Sequence, residues 1–328
     1  MTRKISRLLS AAMLAALAAC GGGGGSEPKT SVPPQPVAYA AGSEELAVLT
    51  LLNGERDRCG FGTLAQNAPL DAAARGHANY QLIHSLIAHL QDALGFPNGF
   101  TGTLPSDRVL AAGYLGAGPV ADEIAGFLGT DQKAGLGAAA LRNLLNAPYH
   151  LQGLMSGFRD VGIAVRSSLD TGVGRPAVLL QINAAYQRVV GPQLFASTEV
   201  RTYPCEGTSG VNLKLSNEQP NPVPGRDLSI NPLGSSIYIA VRVGNIIQIT
   251  SVSMVSLSTG QPVTLRLPIT AANDPYRLCE EGCFKSHQAY VAADAPLQLN
   301  SPYQVTINGS NNGSSFSRTF TFTTGTGG

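Results

Sequence analysis

Three side chains stand out for the chemistry they could do together. His89 and His150 bound one block of the sequence, and Glu123 lies between them. Two imidazoles and a carboxylate can move protons near neutral pH. They can also hold a divalent metal, with water at the open fourth position of a zinc site. The chain has five histidines in 328 residues, so two at the ends of one block are informative. One reading is a hydrolase in which His89 and His150 ligate Zn2+ and Glu123 acts as base. The other is a hydrogen-bonded polar cluster that orders a binding cleft.

The elements that must position these groups are legible in outline. Ser43 can cap a helix reaching about Arg56, with Leu46, Leu49 and Leu52 turned to a core. Pro69 heads a second helix whose apolar residues recur at three and four. That helix is expected to carry on to His89 at its end. His77 and His84 share a face of it but lie two turns apart, about 10 Å along the axis, too far to share a metal. They read as polar groups satisfied in or near the core. A loop full of turn formers, GFPNGFTGTLPSDR, follows. A short helix is expected over Ser106–Ala112, a helix-like segment opened by Pro119 carries Glu123, and another helix spans Ala138–Asn146. Pro148 stops that helix just before His150. Val161–Arg166 and Ala177–Tyr186 read as strands. Asp170-Thr171-Gly172 falls in the turn between them and occurs once, which excludes an aspartic dyad. Gly116-x-Gly118-x-x-Ala121 follows no strand, and Pro119 has no amide to offer a phosphate.

The first residues read as an address. Arg3, Lys4 and Arg7 precede a short apolar run, Leu8–Ala19, and Leu17-Ala18-Ala19-Cys20 fits a lipobox. Residues 1–19 are therefore expected to be a lipoprotein signal peptide, with lipid on Cys20. Residues 20–42, rich in Gly and Pro, are expected to be a flexible linker. Gly21 is not Asp, so the expected location is the cell envelope, as an outer-membrane lipoprotein of a Gram-negative cell. A net charge of +1 without Lys/Arg clusters excludes nucleic acid as a partner. The partners that remain are the membrane that holds the anchor and a small molecule, lipid or surface protein. Cys59, Cys205, Cys279 and Cys283 are left after Cys20, and four cysteines outside the cytoplasm point to disulfides. The close spacing of Cys279 and Cys283 favours a local bridge, which leaves Cys59 to pair with Cys205.

In order along the chain come Asn53-x-x-Arg56, Pro69-Leu70, His89, Arg108, Ala112-Gly113-Tyr114, Asp122-Glu123-Ile124, Ala147-Pro148-Tyr149-His150 and Asp160-Val161-Gly162-Ile163-Ala164. This ordered set resembles the CAP superfamily (cysteine-rich secretory, antigen 5 and pathogenesis-related 1 proteins) in its bacterial form. The resemblance implies an α/β/α sandwich over residues 43–192 and a cleft containing His89, Glu123 and His150. Members of that family carry two Glu beside the two His, and some bind zinc there. Here no second Glu matches: Asp131 is the only acidic residue between Ile124 and Ala147, and it sits in a Gly-flanked loop. The family includes lipid- and sterol-binding members, which implies a non-catalytic cleft for a small or lipidic ligand or a surface partner. A structural surface adhesin is a third reading.

Beyond about residue 200 helical periodicity stops, and β-branched residues alternate between Gly, Pro and Asn turns. About seven strands are expected. The closing YQVTINGSNNGSSFSRTFTFTT resembles the last hairpin of bacterial Ig-like domains, which implies an all-β Ig-like sandwich over residues 200–328. The expected fold class is thus α/β: a CAP-type α/β/α sandwich followed by an Ig-like one.

Overall fold

The structure, a computed structural model, describes residues 39–276 and 283–326. The expected signal peptide, the lipidated Cys20, most of the linker and the Cys279–Cys283 bridge lie outside the described residues.

The first half runs α1 (Glu44–Arg58), β1 (Ala65–Gln66), α2 (Ala68–His84), α3 (Pro105–Ala111), β2 (Ala117–Leu128), α4 (Leu136–Leu144), α5 (Pro148–Met155), β3 (Asp160–Ser167), the single turn α6 (Ser168–Thr171) and β4 (Ala177–Gln187). Local chemistry sets the ends. Ser43 Oγ accepts the Leu46 N–H at 3.2 Å, with Glu44 and Glu45 in the first turn and Arg56 and Arg58 in the last. The Asn67 side chain accepts the Leu70 N–H to start α2. Ser85, in the left-handed conformation at φ 51°, ends that helix. The helix therefore stops before His89, which lies in the following loop, contrary to the sequence reading.

β1, β3, β4 and β2 form one sheet in that order, so β2 is an edge strand. It pairs antiparallel with β4, and Asp122 faces Asn183 while Glu123 faces Ile182 across the ladder. Glu123 is therefore on a strand, not in the expected helical segment. Alternation on β4 separates two layers. Val178, Leu180, Ile182 and Ala184 pack with α1, α4 and α5, whereas Ala185 packs with Leu70, Ala73 and Val109 of α2 and α3. Two residues of the early motif tie this frame together. Asn53 exchanges hydrogen bonds with both backbone groups of Leu64, at 2.8 and 2.9 Å. Arg56, fully buried, donates to the carbonyls of Phe61, Gly62, Leu154 and Ser156.

The second half is all β: β5 (Val200–Tyr203), β6 (Thr208–Val211), β7 (Ser236–Val241), β8 (Ile247–Ser256), β9 (Ile269–Thr270), β10 (Gln288–Ala292), β11 (Pro302–Asn311) and β12 (Ser314–Thr324). They form two further four-stranded sheets, ordered β5-β7-β10-β9 and β6-β12-β11-β8.

The expectation of a separate Ig-like sandwich is overturned. The described residues form one compact unit. The second sheet is buried on both faces: every residue of β7 and of β10 is buried. One face meets the third sheet through Ile237, Ile239, Val291, Val305 and Phe320. The other, through Tyr203, Tyr238 and Tyr290, belongs to the same core cluster as α1, α4 and α5. The three sheets are continuous layers of a mixed α/β fold, and no closed Ig-like sandwich stands apart. The physical reason lies in the strands themselves. SIYIAV and QAYVA carry apolar or aromatic residues where a free-standing sheet would turn polar groups to water. The Cys59–Cys205 disulfide crosses the two halves, with Cα atoms 5.5 Å apart.

Candidate functional site

Adjacent residues of a strand point to opposite faces. Asp122 accordingly enters the α2/α3 layer and Glu123 the α5 layer. Because β2 is an edge strand, groups from both layers can meet around its open side. His89 arrives from the loop after α2, and His150 from the first turn of α5, which Pro148 opens. The two imidazole centroids are 6.0 Å apart.

Asp122 is the anchor of the first pair. Its Oδ1 accepts from the side-chain amides of Gln181 (2.8 Å) and Asn183 (2.7 Å) and lies 3.0 Å from the Arg108 guanidinium. Its Oδ2 is 3.0 Å from His89 Nδ1. Burial alone would raise this carboxyl; the His89 bond and the Arg108 charge outweigh burial and hold it below the usual range. The bond to Asp122 in turn raises His89 against its partial burial. The His89 side chain is 49% exposed, so the ring reaches solvent. His77 sits behind, fully buried and neutral, pushed down to about 4 by burial. Its Nε2 donates to the Ala88 carbonyl and its Nδ1 accepts from the Gln91 amide. Through Ala88 and Gln91 it braces the loop on either side of His89. His84 contacts the Asn98 carbonyl at 2.7 Å. Neither joins the His89–His150 pair.

The second pair is more enclosed. His150 Nδ1 donates to Glu123 Oε2 at 2.7 Å. Its Nε2 lies 4.0 Å from Glu218 Oε2. Burial lowers His150, but Glu123 and Glu218 together raise it to about 9. Burial raises Glu218 to about 7, against the pull of His150 and the N–H of Tyr149, which its Oε1 accepts at 3.0 Å. Glu218 comes from the connection between β6 and β7 and supplies a second carboxylate that sequence reasoning missed. It is the only acidic residue between Glu206 and Asp227. No spacing rule, however, links it to a helix 69 residues upstream. A neighbouring contact holds this connection in place: Asn146 Nδ2 donates to the Lys214 carbonyl at 2.9 Å. The Tyr149 hydroxyl donates to Asp274, between β9 and β10, at 2.9 Å. Gly153 completes the fit. A Cβ there would lie 1.9 Å from Glu123 Oε1, so glycine lets α5 pass this carboxylate without displacing it.

The structure brings His89, Glu123 and His150 together but corrects the expected zinc chemistry. Among the described residues no group of three His, Cys, Asp or Glu side chains could hold a metal ion. The reason is local. Each imidazole turns its Nδ1 to a different carboxylate, His89 to Asp122 and His150 to Glu123, so the acidic groups are engaged one by one instead of converging with both rings on one point. The expected Zn2+ site on His89 and His150 is therefore not found among the described residues.

Neither a family model nor a curated protein matches the sequence. In structure, 44% of the chain is similar to an outer surface protein from Borrelia burgdorferi, at 13% identity and a TM-score of 0.35, covering 93% of that chain. Another 44% match is to an extracellular protein containing a SCP domain from Bacillus anthracis str. Ames, at 21% identity and a TM-score of 0.33. That match spans 40% of the Bacillus chain. Both likenesses are partial. Among the described residues no helix is long and apolar enough to cross a membrane.

Proposed function

We propose that the chain is an extracytoplasmic, lipid-anchored binding protein whose cleft at the open edge of the first sheet takes a small amphiphile with an anionic head. The observation that carries this reading is His89: a half-exposed imidazole, held toward its protonated form by a buried carboxylate, in a loop of exposed apolar side chains. Ile87 and Leu90, on either side of it, are 53% and 54% exposed. Leu94, Phe96 and Leu104 of the same loop are exposed as well. A cation among apolar groups suits a ligand with a carboxylate at one end and a hydrocarbon body. Binding without catalysis is favoured because Glu123 is buried and already engaged by His150, so it does not face the exposed imidazole as a free base. The lipobox at Cys20 and the Cys59–Cys205 disulfide support a place outside the cytoplasm.

A fluorescent fatty acid titrated into the protein tests this. Saturable binding is expected, weakened by His89→Ala through loss of the head contact and by Ile87→Ser with Leu90→Ser through loss of apolar contact. Absence of binding, or binding untouched by both changes, would overturn the reading and leave a structural role for this face.

A further inference from the structure

A cleft lies away from the two histidines. Its volume is about 470 Å3, and its walls include Arg58, Gly60, Glu199, Arg201, Phe316 and Arg318. It opens where two sheet edges face each other. β5 is the edge strand of the second sheet. The neighbour of β12 on its outer side, β6, pairs with it only at Phe322 and Thr324, so no strand covers that side of Phe316–Arg318.

Three guanidinium groups line one cleft, and each is placed by a different means. Arg58 ends α1 and donates to Glu55 at 2.7 Å. The Nε of Arg201 donates to Glu199 at 3.1 Å, its guanidinium stacks 4.2 Å over the Phe195 ring, and its Nε edge lies against Gly60, where a Cβ would come within 3.2 Å. Arg318 is the unusual one. It stands opposite Ile307 on β11, in register with Phe316, Phe320 and Phe322, which face the core. Because Arg318 is exposed, its charge costs little at the end of this apolar row, and its donors stay open to a ligand. Among the described residues the Arg318 side chain has no hydrogen bond and no ion pair. Its row is buried at Phe320 and Phe322 but exposed at Arg318, so the guanidinium emerges where the two sheets part. Two carboxylates, Glu55 and Glu199, answer three arginines, and one positive charge is left over.

We propose that this cleft is a second binding site, for a phosphomonoester group, built on Arg58, Arg201 and Arg318. A phosphomonoester offers three terminal oxygens, one for each guanidinium, and a charge of roughly −1.5 to −2 at neutral pH. Planar forks that match phosphate oxygens make arginine the usual choice for this contact. Phe316 supplies an apolar wall for whatever bears the phosphate. The group can come from a sugar phosphate or from the headgroup of a lipid such as phosphatidic acid.

The test is calorimetric titration of the full chain with inorganic phosphate, glucose 6-phosphate and sulfate, beside flotation with phosphatidylcholine vesicles with and without phosphatidic acid. Phosphate and glucose 6-phosphate are expected to bind, with sulfate weaker because its far less basic oxygens accept weaker hydrogen bonds. Arg318→Gln and Arg58→Gln should each weaken binding by roughly 10-fold or more, as a charged hydrogen bond is worth about 1.5–3 kcal/mol. Arg318→Lys should recover part of the loss. Flotation only with phosphatidic acid, lost in Arg318→Gln, would assign the group to a lipid headgroup; binding of glucose 6-phosphate without flotation would assign it to a soluble sugar. An inward charge on an uncovered edge also discourages strand pairing with other chains. That role alone predicts no phosphate binding, and this result would overturn the proposal. So would binding that neither glutamine variant weakens.

Discussion

Gly153→Ala sets two effects of known sign against each other. Replacing a glycine within a helix by alanine normally stabilises it by about 1 kcal/mol. At Gly153 the new methyl would lie 1.9 Å from Glu123 Oε1 and 3.0 Å from its carboxyl carbon. The carboxylate is the end of a flexible side chain and can swing away, but the 2.7 Å bond to His150 is then lost. A charged hydrogen bond contributes about 1.5–3 kcal/mol. The proton on His150 gives a ceiling of similar size: its pKa is raised from 6.5 to about 9, at about 1.4 kcal/mol per unit, and Glu218 keeps part of that shift. The net expectation is a loss of roughly 1–2 kcal/mol. A folded-state pKa above the unfolded one gives stability that is complete below pH 6.5 and lost as the pH rises through about 9. The deficit of Gly153→Ala should therefore be largest at mildly acidic pH and shrink in alkali. The chain has no tryptophan, so urea unfolding followed by far-UV circular dichroism is the suitable assay. A variant as stable as the parent at pH 6, or a deficit that does not change with pH, would refute the fit between Gly153 and the Glu123–His150 pair.

Other perturbations have equally definite outcomes. Asp122→Asn keeps acceptors for Gln181 and Asn183 but leaves the buried Arg108 charge uncompensated; it should cost about 3–5 kcal/mol in urea unfolding and lower the His89 pKa read by NMR. Glu218→Gln keeps an acceptor for the Tyr149 N–H while removing the second negative charge, so His150 should titrate below about 9 yet above its ordinary value. The same change should also abolish the part of the pH dependence that comes from Glu218 itself, a loss of stability as pH rises from 4.5 through about 7. Replacing Cys59 and Cys205 by serine frees a separation of 146 residues and should cost about 5 kcal/mol in the chain-entropy model, read as a lower urea midpoint.

The sequence makes some parts of this molecule readable and conceals others for identifiable reasons. Ser43 and Pro69 mark helix starts by chemistry that acts locally, and the strands around Val161 and Ala177 carry dense β-forming runs. His89, Glu123 and His150 are findable because the ordered motifs place them. The strand carrying Glu123 reads as a helix because Val120, Ile124 and Phe127 repeat at helical spacing, while the ladder to β4 that decides its conformation is a tertiary contact. The second helix looks longer than it is because apolar residues continue past His84, and its stop, a left-handed serine, has no strong sequence mark. The Ig-like expectation fails at Tyr238 and Tyr290. Their strands alternate well enough for a sandwich, but the face that would meet water is aromatic and packs on the helices. Glu218 is out of reach of the sequence, because only the docking of the two halves carries it to His150.

The central claim is that His89 presents a proton to the head of an amphiphile. The most direct measurement compares the affinity of the protein for a fatty acid and for the fatty alcohol of equal chain length, with His89→Ala beside the parent. The parent should prefer the acid by roughly 10-fold, the worth of one charge-assisted contact near a surface, and His89→Ala should bind both with equal, lower affinity. Equal affinity of the parent for acid and alcohol, or a preference for the acid that survives in His89→Ala, would contradict it.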